Sequence, residues 1–248
     1  MSEEMVIWLE ISFNLIYLLV VWGLVIAMQR NRGKVSPQNR RAADLVRYAF
    51  ALLALGDTGH VGFRVIAYLQ GGLETTVTVL GRDIGLVGLG ALSTAITVTV
   101  FYILLLEVWR VRFDQQYGIF EYSLIGFAFL RFLLMIPAFN QWNSVVPPQP
   151  WSTIRNIPLG VLGLGTAFLI LRDATRRRDR TFIWIGISIL VSFACYIPVI
   201  LFVQQVPMIG MLMIPKTLAY VAVGILAYRD LYGSGVKEYQ RLAEEQTA

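Results

Sequence analysis

The sequence predicts an all-α, polytopic membrane protein, a seven-transmembrane-helix bundle with its N-terminus outside and its C-terminus cytoplasmic. Composition, run length and charge placement carry that reading. Of the 248 residues, 56% are hydrophobic and only 15% charged, too little polar surface for a water-soluble domain to cover itself. Seven apolar runs, 5–28, 45–69, 84–109, 119–139, 157–172, 181–204 and 208–230, approach the roughly 20 residues that a helix needs to cross about 30 Å of hydrocarbon.

The first run follows "SEE" rather than a basic segment and lacks a small-residue cleavage site after it, so it is expected to stay as a span. In the second, Gly56, Gly59 and Gly62 recur every three residues. Gly85, Gly88, Ser93, Thr94 and Thr97 give the third a small face, so the two are expected to pack tightly. The fifth is short. Pro158 is expected in its first turn, with 151–156 extending its outer end. Pro198 and Pro215 fall within the sixth and seventh spans, where each is expected to introduce a kink.

Orientation follows from Lys and Arg, because positive flanks stay cytoplasmic. The connections after spans 1, 3 and 5 and the tail hold sixteen, from Arg30, Arg32 and Lys34 onward to Arg241; the alternate connections hold Arg82 and Arg155. The other three basic residues, Arg64, Arg131 and Lys216, lie inside spans. A multi-pass protein of the cell membrane results, with one transmembrane domain over 1–232 and a short polar cytoplasmic tail over 233–248. The connections read as short loops without an attached soluble module.

The net charge of +5 does not point to nucleic acid, since the basic residues flank apolar runs without a recognition motif. Cys195, the single cysteine, has no internal disulfide partner and reads as a small buried side chain. Asp44, Arg47, Glu107, Glu121 and Asp230 are expected at inner helix ends within reach of water. The tryptophans are expected mostly to mark the two interfaces.

Buried charge is the functional signal. Asp57, His60 and Arg64 in "LALGDTGHVGFR" are spaced i, i+3 and i+7, as Glu10, Asn14 and Tyr17 share one face and Lys216 and Tyr220 are i and i+4. Counted at 1.5 Å per residue, these groups and Arg131 fall in the outer half of the bilayer or near its midplane. A charge there costs on the order of 3 kcal/mol even on a lenient scale, so such groups pair or face water. Depth allows Asp57 with Lys216, and Glu10 with Arg64 or Arg131. An outward-facing polar cavity lined by helices 1, 2, 4 and 7 is expected, with Glu10, Asn14, Asp57, His60, Arg64, Arg131, Lys216 and Tyr220 as ligand-binding residues. The surplus of positive charge, with donors including Trp142, favours a small molecule with a carboxylate or phosphate head.

Two other readings stay open. An intramembrane enzyme acting on lipid would use Asp57 and His60 as acid and base. With one histidine in the chain, a zinc site is poorly supplied, and neither GxSxG nor HExxH occurs. Lys216 in span 7 and "CYIP" in span 6 give the chain a likeness to the microbial retinal proteins, whose chromophore forms a Schiff base with a helix-7 lysine. The match covers Lys216, Tyr196 and Pro198. Those proteins carry an acid and an arginine in helix 3, where this chain reads "LSTAITVTVF", so the resemblance implies Asp57 as the counter-ion. The sequence names no cofactor. Its partners are the lipid bilayer and a small ligand, and an oligomer is compatible with it.

Overall fold

The computed structural model describes the backbone of residues 3–79 and 81–233, and the side chains of 12–78, 81 and 83–233. Seven α-helices run through it: α1 (Glu3–Arg30), α2 (Arg40–Leu69), α3 (Leu86–Arg112), α4 (Ile119–Met135), α5 (Trp151–Arg177), α6 (Arg180–Phe202) and α7 (Met213–Leu231). All except α4 belong to stretches long and apolar enough to cross a membrane, the last one running from Pro207. At 17 residues, α4 is about 25 Å long, shorter than a hydrocarbon core. The polar tail after residue 233 lies outside the described residues.

Sequential helices pack as neighbours, and α2 with α3 form the most extensive helix pair. Glycine makes that approach possible. A Cβ at Gly56 would collide with Thr97, and one at Gly59 would lie 2.7 Å from Ser93 Oγ. From the opposite helix, a Cβ at Gly90 would lie 2.9 Å from His60 Cα. The expected stripe is only partly used: Gly62 has open space, while Gly85 and Gly88 face the backbone of Asn143 and Trp142. The start of α3 thus seats the 136–150 connection rather than α2.

Contacts of α7 with α1, α2 and α6 close the bundle. Its centre is aromatic. Phe101 meets Phe50, Tyr102 and Tyr220 edge to face, with ring centroids 5.5, 5.3 and 5.5 Å apart, an arrangement favoured by the ring quadrupoles.

Several local expectations are corrected. The connection after α2 holds a β-hairpin, β1 (Thr76–Val79) against β2 (Arg82–Gly85), with Val77 opposite Ile84. Alternating β-branched residues in "TVTV" and a positive φ of 75° at Gly81 explain it. Because α5 begins at Trp151, Pro158 is inside it rather than in its first turn. Pro215 occupies the first turn of α7, after a 3-10 helix over Pro207–Leu212. There a missing N–H costs no helical bond, so no kink is required.

The two ends of the bundle differ. At the basic end, Arg112 reaches Asp179 at 2.9 Å and Asp230 at 3.1 Å, joining α3, α6 and α7. Asp44 binds Arg32 at 3.0 Å and Arg47 at 2.9 Å. Two of the charges expected to reach water are buried there, Arg47 and Glu121. Glu121 accepts the Gly118 N–H at 2.9 Å and so caps α4. Trp109 is not at an interface; it is buried and donates to Asp173 at 2.8 Å. At the other end lie the hairpin and the 136–150 connection.

Candidate functional site

Between those ends, one polar belt takes a side chain from every helix. Tyr17 of α1 donates to Asp57 of α2 at 2.6 Å. Asp57 also attracts Lys216 of α7. The Lys216 ammonium sits over the Tyr196 ring of α6 at 4.9 Å and over Tyr220, one turn along α7, at 5.5 Å. Cation–π contacts of this kind are strongest where water is excluded.

The belt continues through Tyr196, whose hydroxyl donates to Asn156 Oδ1 of α5 at 3.1 Å. The same oxygen accepts from Arg131 of α4 at 3.1 Å. Arg131 donates also to Thr99 Oγ1 of α3 at 2.9 Å, is 2% exposed, and leaves its buried Nε without a partner among the described residues. A side branch joins Tyr220 to Tyr102, hydroxyl to hydroxyl, at 2.9 Å.

A second guanidinium stands next to Asn156 in the chain. Arg155, 6% exposed, donates to Asn140 Oδ1 at 3.1 Å and lies over the Trp142 ring at 4.3 Å. Its charge repels that of Arg131, and both act on Tyr196. Arg131 and Lys216 therefore meet through Tyr196 and Asn156, Arg155 stands next to Asn156 in the chain, and the partners of all three are hydroxyls, amides and rings. Asp57 is the one carboxylate that the described geometry places with them. Neutral partners only partly offset the desolvation of a guanidinium.

Of the sequence-derived site residues, Asp57, Arg131, Lys216 and Tyr220 converge on this belt. His60 is half-buried one turn beyond Asp57; its Nδ1 is enclosed without a hydrogen-bond partner among the described residues, and it feels the charges of Arg64 and Lys216. Arg64 and Asn14 are half-buried on α2 and α1. The side chain of Glu10 lies outside the described residues, as does any pairing it makes. Arg131 is held by Thr99 and Asn156, and Asp57 accepts from Tyr17 while also feeling the Lys216 charge. Trp142 spends its indole N–H on Met135 O at 3.1 Å.

Tyr196, Asn156 and Arg155 are the residues that sequence reasoning left outside the site, and Tyr17 figured only as a member of a helix face. Arg155 was counted with an outer connection for orientation, although 151–156 was expected to extend the fifth span, and α5 does begin at Trp151; the polar pair "RN" within that extension is the missed signal. No group of three His, Cys, Asp or Glu able to hold a metal occurs among the described residues. No family model, curated protein or solved structure matches the chain.

Proposed function

We propose that the chain is a seven-span integral membrane protein, N-terminus outside and C-terminus cytoplasmic, that binds a small anionic or amphipathic ligand in a polar site opening outward. Helices α1, α2, α4 and α7 line it, and α3, α5 and α6 complete it. Six long apolar helices support the membrane setting. The basic end, rich in Arg and Lys, is the cytoplasmic one by the positive-inside rule. In this reading α4 is the seventh span, its short length eased by the exposed Ile136 and Phe139 beyond it and by local thinning of the bilayer.

The observation that carries the ligand class is the meeting of Arg131 and Lys216 around Tyr196 and Asn156, where Asp57 is the one carboxylate placed near them among the described residues. A bound anion relieves the repulsion and completes the hydrogen bonds. Movement of the ligand across the membrane extends the same reading, with α6 and α7 shifting against the rest at Pro198 and at the junction of 3-10 and α-helix near Met213.

The test is a thermal-unfolding screen of the detergent-purified protein against carboxylates, phosphates and acyl-chain anions. Saturable stabilisation by one class, lost in both Arg131→Gln and Lys216→Met, is expected. Stabilisation by none of them, or equal stabilisation of both variants, overturns the reading.

A further inference from the structure

The basic end of α1 carries a groove separate from the belt. Gly23, Ile26, Ala27, Arg30, Asn31 and Lys34 line a cavity of about 630 Å³ there. Gly23, Ile26, Ala27 and Arg30 are spaced i, i+3, i+4 and i+7, so they share one face of the helix. Towards the middle of α1 that face is bulky and exposed at Ile16 and Leu19. At Gly23 it is notched: the residue is exposed, and a Cβ there would meet nothing within 4 Å.

The rim above the notch is fixed and cationic. Asn31 Nδ2 donates to Ala27 O at 3.0 Å and to the Tyr228 hydroxyl at 2.9 Å, which braces this end of α1 against α7. The chain then turns through a 3-10 helix over Arg32–Lys34, where the Lys34 N–H donates to Asn31 O at 3.0 Å and Lys34 comes back to the groove that Arg30 lines. Arg30, in the last turn of α1, is exposed and pairs with no acid among the described residues. Arg32 is turned away to Asp44 at 3.0 Å. No carboxylate lines the groove among the described residues.

Depth makes this a place for a lipid rather than a soluble anion. Gly23 lies about 10 Å along the axis from Arg30, whereas one headgroup layer is only about 5–8 Å thick. With Arg30 among the headgroups, Gly23 is in hydrocarbon. A soluble anion would meet the two cations and leave the notch unfilled. A zwitterionic lipid would fill the notch and set its own cation beside Arg30 and Lys34. An anionic phospholipid satisfies both ends, and guanidinium and ammonium groups each make charge-assisted hydrogen bonds to its phosphate.

We propose that this groove binds an anionic phospholipid of the leaflet at the basic end, its phosphate held by Arg30 and Lys34 and one acyl chain seated over Gly23 against Ile26 and Ala27. The site rests on the membrane setting and not on the ligand of the belt, so lipid retention and stabilisation by small anions can fail independently.

The test counts lipids retained by the full-length protein when it is released from nanodiscs of equal phosphatidylcholine and phosphatidylglycerol into a mass spectrometer. Phosphatidylglycerol is expected to be retained preferentially. Arg30→Gln with Lys34→Gln should lower that preference on the order of tenfold. Gly23→Leu changes no charge and fills the notch, and it too should lower the preference. Arg176→Gln with Arg180→Gln removes two exposed cations of the same end away from the groove and should leave the preference unchanged. Equal retention of the two lipids by the wild type overturns the proposal. A preference untouched by Gly23→Leu, or reduced as much by the Arg176 and Arg180 pair, would reduce the effect to the general charge of this end and overturns the site. Deletion of 234–248 should change nothing; a preference that appears only after it gives the groove to the chain's own tail and overturns the lipid as its occupant.

Discussion

The Tyr17 hydroxyl donates to Asp57 at 2.6 Å and ties α1 to α2 at the level where Lys216 approaches from α7. Tyr17 is itself buried and Asp57 half-buried, so the phenol has little access to water in place of this bond. Tyr17→Phe removes the donor and leaves a carboxylate oxygen short of a partner, a loss of about 1–3 kcal/mol. Asp57→Asn keeps an acceptor facing Tyr17 and should cost less. In a double-mutant cycle read from unfolding of the detergent-solubilised protein, coupling above about 0.5 kcal/mol is expected. Additive losses would mean that the two side chains do not cooperate.

Gly56 and Gly62 share helix α2 but have opposite surroundings. A methyl group at Gly56 meets Thr97 of α3, whereas at Gly62 nothing lies within 4 Å. Gly56→Ala is therefore expected to destabilise by about 1–3 kcal/mol through overpacking. Gly62→Ala should be neutral or stabilise by up to about 1 kcal/mol, because alanine is the better helix former. Thr97→Ala in the Gly56→Ala background should recover part of the loss. Thermal midpoints of the four proteins decide it, and a Gly62→Ala protein as damaged as Gly56→Ala would refute this account of the α2–α3 contact.

The helices were legible because each is an apolar run with charged or proline-bearing ends, and hydrophobicity alone reports that. Small residues at Gly56, Gly59, Ser93 and Thr97 likewise announced a close pair before any geometry was known. Partner choice was not legible. Asp57 at mid-span signals that something polar must meet it, but whether Lys216 or Tyr17 does so depends on helix rotation, which periodicity does not give. Arg155 was passed over for a different reason: 151–156 was expected to extend the fifth span, but its arginine was weighed as a loop charge for orientation and not as a group facing the bundle. The hairpin at Thr76–Gly85 was passed over because its polar sequence was weighed as a connection and its strict alternation was not.

Membrane crossing by α4 carries the seven-span proposal, and its two flanks allow a direct check. Gln116 and Asn143 are exposed on either side of it, and Cys195 is the only native thiol. With Cys195→Ser as background, Gln116→Cys should be shielded from a membrane-impermeant maleimide in intact cells, and Asn143→Cys should react. Both should react after permeabilisation. Labelling of both positions in intact cells, or of neither, would show that α4 does not cross; the reverse pattern would invert the orientation drawn from the basic residues.

Tyr232, just beyond the end of α7, offers a pH test outside the spans. It is buried, donates to Ala43 O at 2.7 Å and stacks on Tyr228 with ring centroids 5.5 Å apart. Burial pushes its phenol up to about 12, against the opposing pull of the Arg47 charge. An unfolded phenol ionises near pH 10. Below that value both states keep the proton and the hydrogen bond contributes fully. Between about pH 10 and 12 the unfolded chain releases a proton that the folded chain still holds, so stability must fall as pH rises. Tyr232→Phe gives up the bond to Ala43 at neutral pH and removes this site's share of the alkaline slope. Unfolding measured in detergent from pH 9 to 12 should therefore show wild type and variant converging as the pH climbs. Parallel curves would show that Tyr232 ionises as freely in the folded protein as in the unfolded one, and that its anchor on Ala43 does not govern how α7 ends.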